Sequence, residues 1–239
     1  MARRFAARPF GIAFILVWTL LPLYWVLNTS LQTDAQISSK PANYIPPTPT
    51  IANFRTLLTG SGDAATAIRQ SMVNICIECA AATVVTVVLA TLAAYAFARM
   101  TFRGKNVVFY SVLATMALPA YATLIPLYRI MSTLGLVNTY TGIVLVYVSG
   151  FLPLARPGIV STAIITFLSA WAQFLFPLVL SSDLSTQPLT VAIAALQGRH
   201  TVPYSLMSAA GVIAVSVPAL IAVVLNRYIV NGLLAGSVK

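Results

Sequence analysis

Few side chains in this chain could do chemistry, and most of them are embedded in apolar sequence. Glu78 is the only acid in the apolar stretch 71–98, and Asn74 precedes it by one helical turn. A carboxyl in hydrocarbon is costly and must face a bundle interior or a wet cavity. The pair therefore either lines a translocation path or makes an interhelical hydrogen-bonded tie. Cys76-Ile77-Glu78-Cys79 has a C-x-x-C spacing, but it lies in an apolar helix without a second pair of ligands. Two buried packing thiols are the expectation, with no metal site. The lone His200 falls in a polar connection with no triad around it and reads as a surface residue. Trp171 and Gln173 place an aromatic ring beside an amide, the usual equipment for stacking on and hydrogen bonding to a sugar. In an apolar span, packing is the reading favoured for both. No G-x-x-x-x-G-K-[ST] phosphate loop occurs, and no nucleophile is paired with a base. The chain is expected to have no catalytic residues and to be no enzyme.

The elements that must position these residues follow from composition. Of 239 residues 59% are hydrophobic and 8% charged, and the mean hydropathy is +0.90; soluble domains carry about 25% charged residues. The expected class is an all-α integral membrane protein. Six apolar stretches, approximately 10–30, 71–98, 107–127, 139–154, 158–181 and 205–226, are candidates to cross a hydrocarbon core of about 30 Å. In the second, ten Val, Ile, Leu and Phe residues contribute roughly −3 to −6 kcal/mol, against about 2.5–3.5 kcal/mol for one charge, so it inserts despite Glu78. The apolar run after Arg3, Arg4 and Arg8 is long for a signal peptide and has no small-x-small cleavage site, so it reads as an uncleaved first span.

The net charge of +10 would suggest nucleic acid in a soluble chain, but here the cations stand singly at span ends and describe topology. With the N-terminus inside, Arg3, Arg4, Arg8, Arg99, Arg103, Lys105, Arg156, Arg227 and Lys239 collect on the inner face. Lys40, Arg55, Arg69, Arg129 and Arg199 collect outside. The excess places both termini inside. No separable soluble domain is visible, so residues 1–239 are expected to form a single transmembrane domain.

The longest polar segment is the outer loop 31–70. Pro41, Pro46, Pro47 and Pro49 make its first half extended. Thr50 can then cap a short helix that carries Ile51, Phe54, Leu57 and Leu58 on one face and ends at Gly60. Such a helix either rests on the bilayer or belongs to a docking surface.

Several strings carry a resemblance in chain order. They are Ala93-Ala94-Tyr95-Ala96-Phe97-Ala98-Arg99, Ile125-Pro126-Leu127-Tyr128, and Leu134-Gly135-Leu136-Val137-Asn138-Thr139. Leu152-Pro153-Leu154-Ala155-Arg156-Pro157-Gly158 follows, then Ala170-Trp171-Ala172-Gln173-Phe174 and the tail from Arg227 to Lys239. Together they resemble the permease subunits of carbohydrate-uptake ABC importers, specifically the shorter, second permease of the maltose-type pair. The cytoplasmic loop that docks on the ATPase in that family begins E-A-A. That beginning is missing here, as if the end of the fourth span and the end of the loop were fused near Ala155–Arg156. Ala172 also replaces the family's usual Asn.

The resemblance implies an ABC importer type I permease fold, N-in and C-in, in a bacterial cytoplasmic (inner) membrane. The implied partners are a homologous second permease, an ATPase dimer, an extracytoplasmic solute-binding protein and the lipid bilayer, with no nucleic acid. No cofactor would be bound by this chain; ATP and Mg would be used by the ATPase. Translocation-path candidates are Asn74, Glu78, Trp171 and Gln173. ATPase coupling would fall to Arg156, Pro157, Gly158, Gly232, Leu233, Gly236 and Lys239. Docking of the binding protein would fall to Phe54, Gln187 and Gly198. The function implied is uptake of a sugar or sugar-like solute by alternating access. The rivals are a secondary, ion-coupled transporter that uses Glu78, and an uncoupled permease fragment.

Overall fold

The computed structural model describes residues 2–117, 119–152, 159–198 and 202–228. They fold as α1 (Ala2–Ser30), α2 (Asp34–Ile37), α3 (Ala52–Thr59), α4 (Asp63–Arg99), α5 (Lys105–Thr115) and α6 (Ala120–Thr133). There follow α7 (Tyr140–Phe151), α8 (Ile159–Trp171), α9 (Leu175–Leu180), α10 (Leu189–Ala195) and α11 (Tyr204–Val224). No strand occurs among the described residues, in keeping with an all-α membrane protein, since a helix satisfies its own backbone in lipid.

Three helices contain segments long and apolar enough to cross a bilayer: Pro9–Ser30, Asp63–Arg99 and Tyr204–Val224. The remaining apolar stretches are more broken than the sequence suggests. The stretch 107–127 is divided between α5 and α6, with Pro119 as the extended N-cap of α6. Proline lacks the donor that would carry a helix through that point. Helices α7 and α8 are 12 and 13 residues long. Helix α4 starts at Asp63, eight residues before the apolar run, and carries an acid in its first turn and Arg99 in its last, both matched to the helix dipole.

The contacts define two compact units, Met1–Thr66 with Ile193–Val215, and Ala67–Ala192 with Ser216–Lys239. In the first unit the segment that follows α1 is tied down by amides. Asn53 Nδ2 donates to the carbonyls of Ser30 (2.9 Å) and Gln32 (2.8 Å), and Asn28 Nδ2 donates to Asn43 O (3.0 Å). The expected short helix is present as α3 with Gly60 as C-cap, but its N-cap is Ile51 and not Thr50, whose Oγ1 accepts from Ala52 N one residue earlier than a cap would. Its apolar face is only partly used: Leu57 is fully buried, whereas Ile51 and Leu58 are exposed. Thr33 and Gln36 close a capping box on α2. Asp34 Oδ1 accepts from Ser205 N (2.9 Å) at the start of α11, where a negative charge is favourable.

In the second unit the core is built on one face of α4 and one face of α7. Ile68, Ser71, Asn74, Ile75, Glu78, Cys79, Ala82 and Thr86 of α4 are all buried, three to four residues apart. On α7, which packs against α8 and α9, Ile143, Val146, Tyr147 and Phe151 are buried. Gly142 of α7 lies against the turn that precedes the helix. A Cβ there would come within 2.1 Å of the Leu136 carbonyl oxygen, so only glycine admits the approach. At the C-terminal end of α4 aromatic rings cluster: Phe97 lies 5.8 Å from Phe102 and 5.7 Å from Phe109. Gly104, at φ 81°, turns the chain into α5.

Candidate functional site

The buried stripe of α4 is polar where a hydrophobic stripe would be expected. Ser71, Asn74, Glu78 and Thr86 share it, all with no exposure to solvent. Asn74 is completely satisfied. Its Nδ2 donates to the carbonyls of Leu184 (3.0 Å) and Gln187 (2.9 Å), while its Oδ1 accepts from Tyr140 Oη (2.8 Å) and Gln70 Nε2 (3.0 Å). Two donors and two lone pairs are all that a carboxamide has. Asn74 is therefore an interhelical tie in this conformation.

One turn further along, Glu78 has the opposite character. Both carboxyl oxygens are buried, and neither has a hydrogen-bond partner among the described residues. Tyr147 of α7 lies within electrostatic reach of Glu78, and its hydroxyl is also buried and unpartnered. Ser71 Oγ and Thr86 Oγ1 complete a run of unpartnered oxygens along the same face. Buried polar groups without partners are uncommon and mark places where water, an ion or a polar solute is to be accommodated. The pair Asn74 and Glu78 thus divides into an anchor and an unsatisfied acceptor.

The C-x-x-C thiols differ from expectation in one respect. Both are free, Cys79 being buried beside Glu78 but Cys76 exposed. The helix turns Cys76 out of the packed stripe that the sequence, apolar on every side of α4, does not reveal.

Trp171 is buried at the end of α8 and stacks on Phe167 at 5.8 Å, which is packing. Gln173 lies half-buried in the short break before α9, its carbonyl accepting from Thr190 Oγ1 (2.8 Å). Gln187 contributes its carbonyl to Asn74, and Gly198 ends a short 3₁₀ turn. Phe54 is half-buried on α3. Arg156, Pro157, Gly158, Gly232, Leu233, Gly236, Lys239 and His200 lie outside the described residues.

Tyr147 and Asn138 were missed by reasoning from sequence alone. Tyr147 carries the signal of any aromatic in an apolar helix. Asn138 is the single non-glycine residue of positive φ (55°) among those described, a conformation that asparagine tolerates and that is a structural signal in its own right.

A helical membrane protein with a buried polar stripe between packed helices is the class that these features define. No protein-family model matches the chain. Among curated relatives, ABC transporter permease protein ORF1 of Streptomyces antibioticus is 30% identical over 82% of this chain and 100% of its own length. The sulfoquinovosyl glycerol transport system permease protein SmoH of Agrobacterium fabrum is 28% identical over 95% of this chain and 91% of its own. The trehalose transport system permease protein SugB of Mycobacterium tuberculosis is 29% identical, covering 93% of each chain. A solved bacterial ABC transporter involved in import of the acidic polysaccharide alginate shares the fold, with a TM-score of 0.74 at 16% identity, covering 95% of this chain and 96% of that one. The chain belongs to the ABC transporter permease family.

Proposed function

We propose that this chain is one transmembrane subunit of a binding-protein-dependent ABC importer that takes up a sugar or sugar-like solute. The observation that carries this reading is full-length similarity to permeases of carbohydrate uptake systems, maintained over more than nine-tenths of the chain in SmoH and SugB. In this reading residues 1–239 form a single permease domain with six spans, at 10–30, 71–98, 107–127, 139–154, 158–181 and 205–226, and the outer loop 31–70. Both termini lie inside a bacterial cytoplasmic membrane. The partners are a homologous second permease, two ATPase subunits that use ATP and Mg, and an extracytoplasmic solute-binding protein. The chain itself binds no cofactor.

The transport cycle then needs a bundle with two conformations whose equilibrium is biased by both ATP and the loaded binding protein. Glu78, with its unpartnered oxygens, is the residue best suited to meet a hydroxylated solute when the bundle opens, with Asn74 holding its helix in place. Trp171 and Gln173 border the same unit. Phe54, Gln187 and Gly198 would meet the binding protein, and Arg156, Pro157, Gly158, Gly232, Leu233, Gly236 and Lys239 the ATPase. The test is solute uptake into vesicles that contain the full complex, with this chain supplied or omitted. ATP-dependent uptake only in its presence supports the reading, and uptake without it overturns the assignment.

A second reading, an uncoupled permease, has one observation in its favour. The alignment to SmoH runs over 265 positions, more than the 239 residues of this chain, so the relative carries residues that this chain lacks. The absent E-A-A segment is one candidate for that difference. Co-purification with an ATPase subunit, together with substrate-stimulated ATP hydrolysis, would exclude an uncoupled state.

A further inference from the structure

The connection between α9 and α10 is held from outside by two carboxamides. Asn138, in its left-handed conformation just before α7, donates its N–H to Leu180 O (2.8 Å). Its Oδ1 accepts from the backbone N–H groups of Ser182 (2.9 Å) and Asp183 (3.2 Å). At the far end, Asn74 of α4 donates to Leu184 O and Gln187 O, and Tyr140 of α7 donates to Ser185 O (3.1 Å) as well as to Asn74. Within the turn, Ser181 Oγ donates to Thr186 O (2.6 Å), and Asp183 O accepts from Thr186 N and Gln187 N.

Residues 182–185 are exposed, so the backbone groups of Ser182, Asp183, Leu184 and Ser185 could be hydrated instead. A loop free to move would leave them to water. Here each anchored group is claimed by α4 or by the entry to α7. The anchors span 44 residues of sequence for Asn138 and at least 110 for Asn74, so the arrangement is tertiary and not a local turn preference.

We propose that Asn74 and Asn138 are positioning residues of transport. They lock the 181–187 turn to α4 and α7, so that turn, α7 entry and α4 move as one body and the turn sets the placement of Glu78, one helical turn from Asn74. The proposal rests on the reading of Glu78 as part of the translocation path. A force applied to the exposed turn reaches Glu78 through the Asn74 carboxamide. Loosening either amide lets the turn move without α4.

The test uses the full complex in lipid nanodiscs, with Asn138→Gly, Asn138→Asp and Asn74→Ala. Glycine tolerates the positive φ and removes only the side-chain acceptor, and aspartate retains an acceptor oxygen at the same reach. Hydrogen exchange at the Ser182 and Asp183 amides should accelerate roughly 2- to 10-fold in Asn138→Gly, the loss of a net hydrogen bond, and return towards the wild-type rate in Asn138→Asp. In the two Asn138 variants basal ATP hydrolysis and complex assembly should be unchanged. Stimulation by the loaded binding protein should fall in Asn138→Gly and Asn74→Ala and recover in Asn138→Asp. Unchanged exchange in Asn138→Gly would overturn the clamp, whatever the transport result. Faster exchange with full stimulation would overturn the positioning role. Absence of stimulated hydrolysis in the wild-type complex would instead count against the importer reading, and the exchange result would still decide the clamp.

Discussion

Glu78 gives the sharpest energetic prediction. Its side chain is fully buried and neither oxygen has a partner among the described residues, so the folded chain carries a polar group that these residues do not compensate. Placing a charged side chain at the centre of a membrane-inserted helix costs about 2.5–3.5 kcal/mol, whereas an aliphatic residue there gains about 0.3–0.6 kcal/mol. Leaving a buried group unsatisfied costs about 1–3 kcal/mol in proteins. Glu78→Met conserves the length of the side chain and packs well in irregular space. It should therefore raise the stability of the chain in lipid by about 1–3 kcal/mol, because the folded state loses a polar group for which it makes no bond. Reversible unfolding of the purified chain, in mixed micelles or under steric trapping, would measure this. Solute uptake by the complex should fall at least about ten-fold in the same variant, one lost solute hydrogen bond being worth roughly 1.4 kcal/mol or more when it involves a charged group. The combination of higher stability with lower transport separates a functional carboxyl from a structural one. A Glu78→Met protein that is less stable than the wild type would refute the reasoning, since it would show that Glu78 has a compensating partner. Glu78→Gln adds a second check: if both transport and assembly are unchanged, Glu78 is not on the path.

Two other substitutions probe the supports. Gly142→Ala would drive a methyl into the Leu136 carbonyl at 2.1 Å. Separating α7 from the turn before it should cost about 1–3 kcal/mol, seen as a lower unfolding midpoint and reduced assembly. Asp34→Ala removes the acceptor for Ser205 N at the start of α11. A loss of about 1 kcal/mol is expected, with faster hydrogen exchange confined to the first turn of α11 and no change around Asn74.

The parts of the fold that were legible in sequence are those with local causes. Helix α3 was readable because Gly60 and the spacing of Phe54 and Leu57 act within a few residues of each other, although its N-cap fell on Ile51 and not on Thr50. The break between α5 and α6 falls at Pro119, inside the stretch 107–127 that reads as one span in sequence; proline lacks the donor that would carry a helix through. The length of α4 was underestimated because Asp63–Gln70 is polar and was assigned to the loop, although Asp63 suits a helix start. Which face of α4 is buried was not legible: the helix is apolar all round, and such a helix has no periodic signal to read. Glu78 and Asn74 marked the face only because they are expensive in hydrocarbon.

The division of labour between those two residues was out of reach from sequence, because it depends on carbonyls of Leu184 and Gln187 more than a hundred residues away. Asn138 drew attention only as part of a resembling string, and its accepted bonds come from Ser182 and Asp183. Asp34 likewise reaches Ser205, 171 residues further on. Polar groups in a membrane protein must find partners wherever the fold supplies them, and sequence spacing does not encode those distances.

The most direct measurement of the central claim is uptake of labelled sugar by proteoliposomes that contain this chain, its partner permease and the ATPase, with the solute-binding protein outside and ATP enclosed. The account predicts accumulation that requires enclosed ATP, this chain and the binding protein together, and that survives collapse of the ion gradients. Uptake that persists without ATP and stops when the proton or sodium gradient is dissipated would contradict it and make Glu78 the coupling site of a secondary transporter.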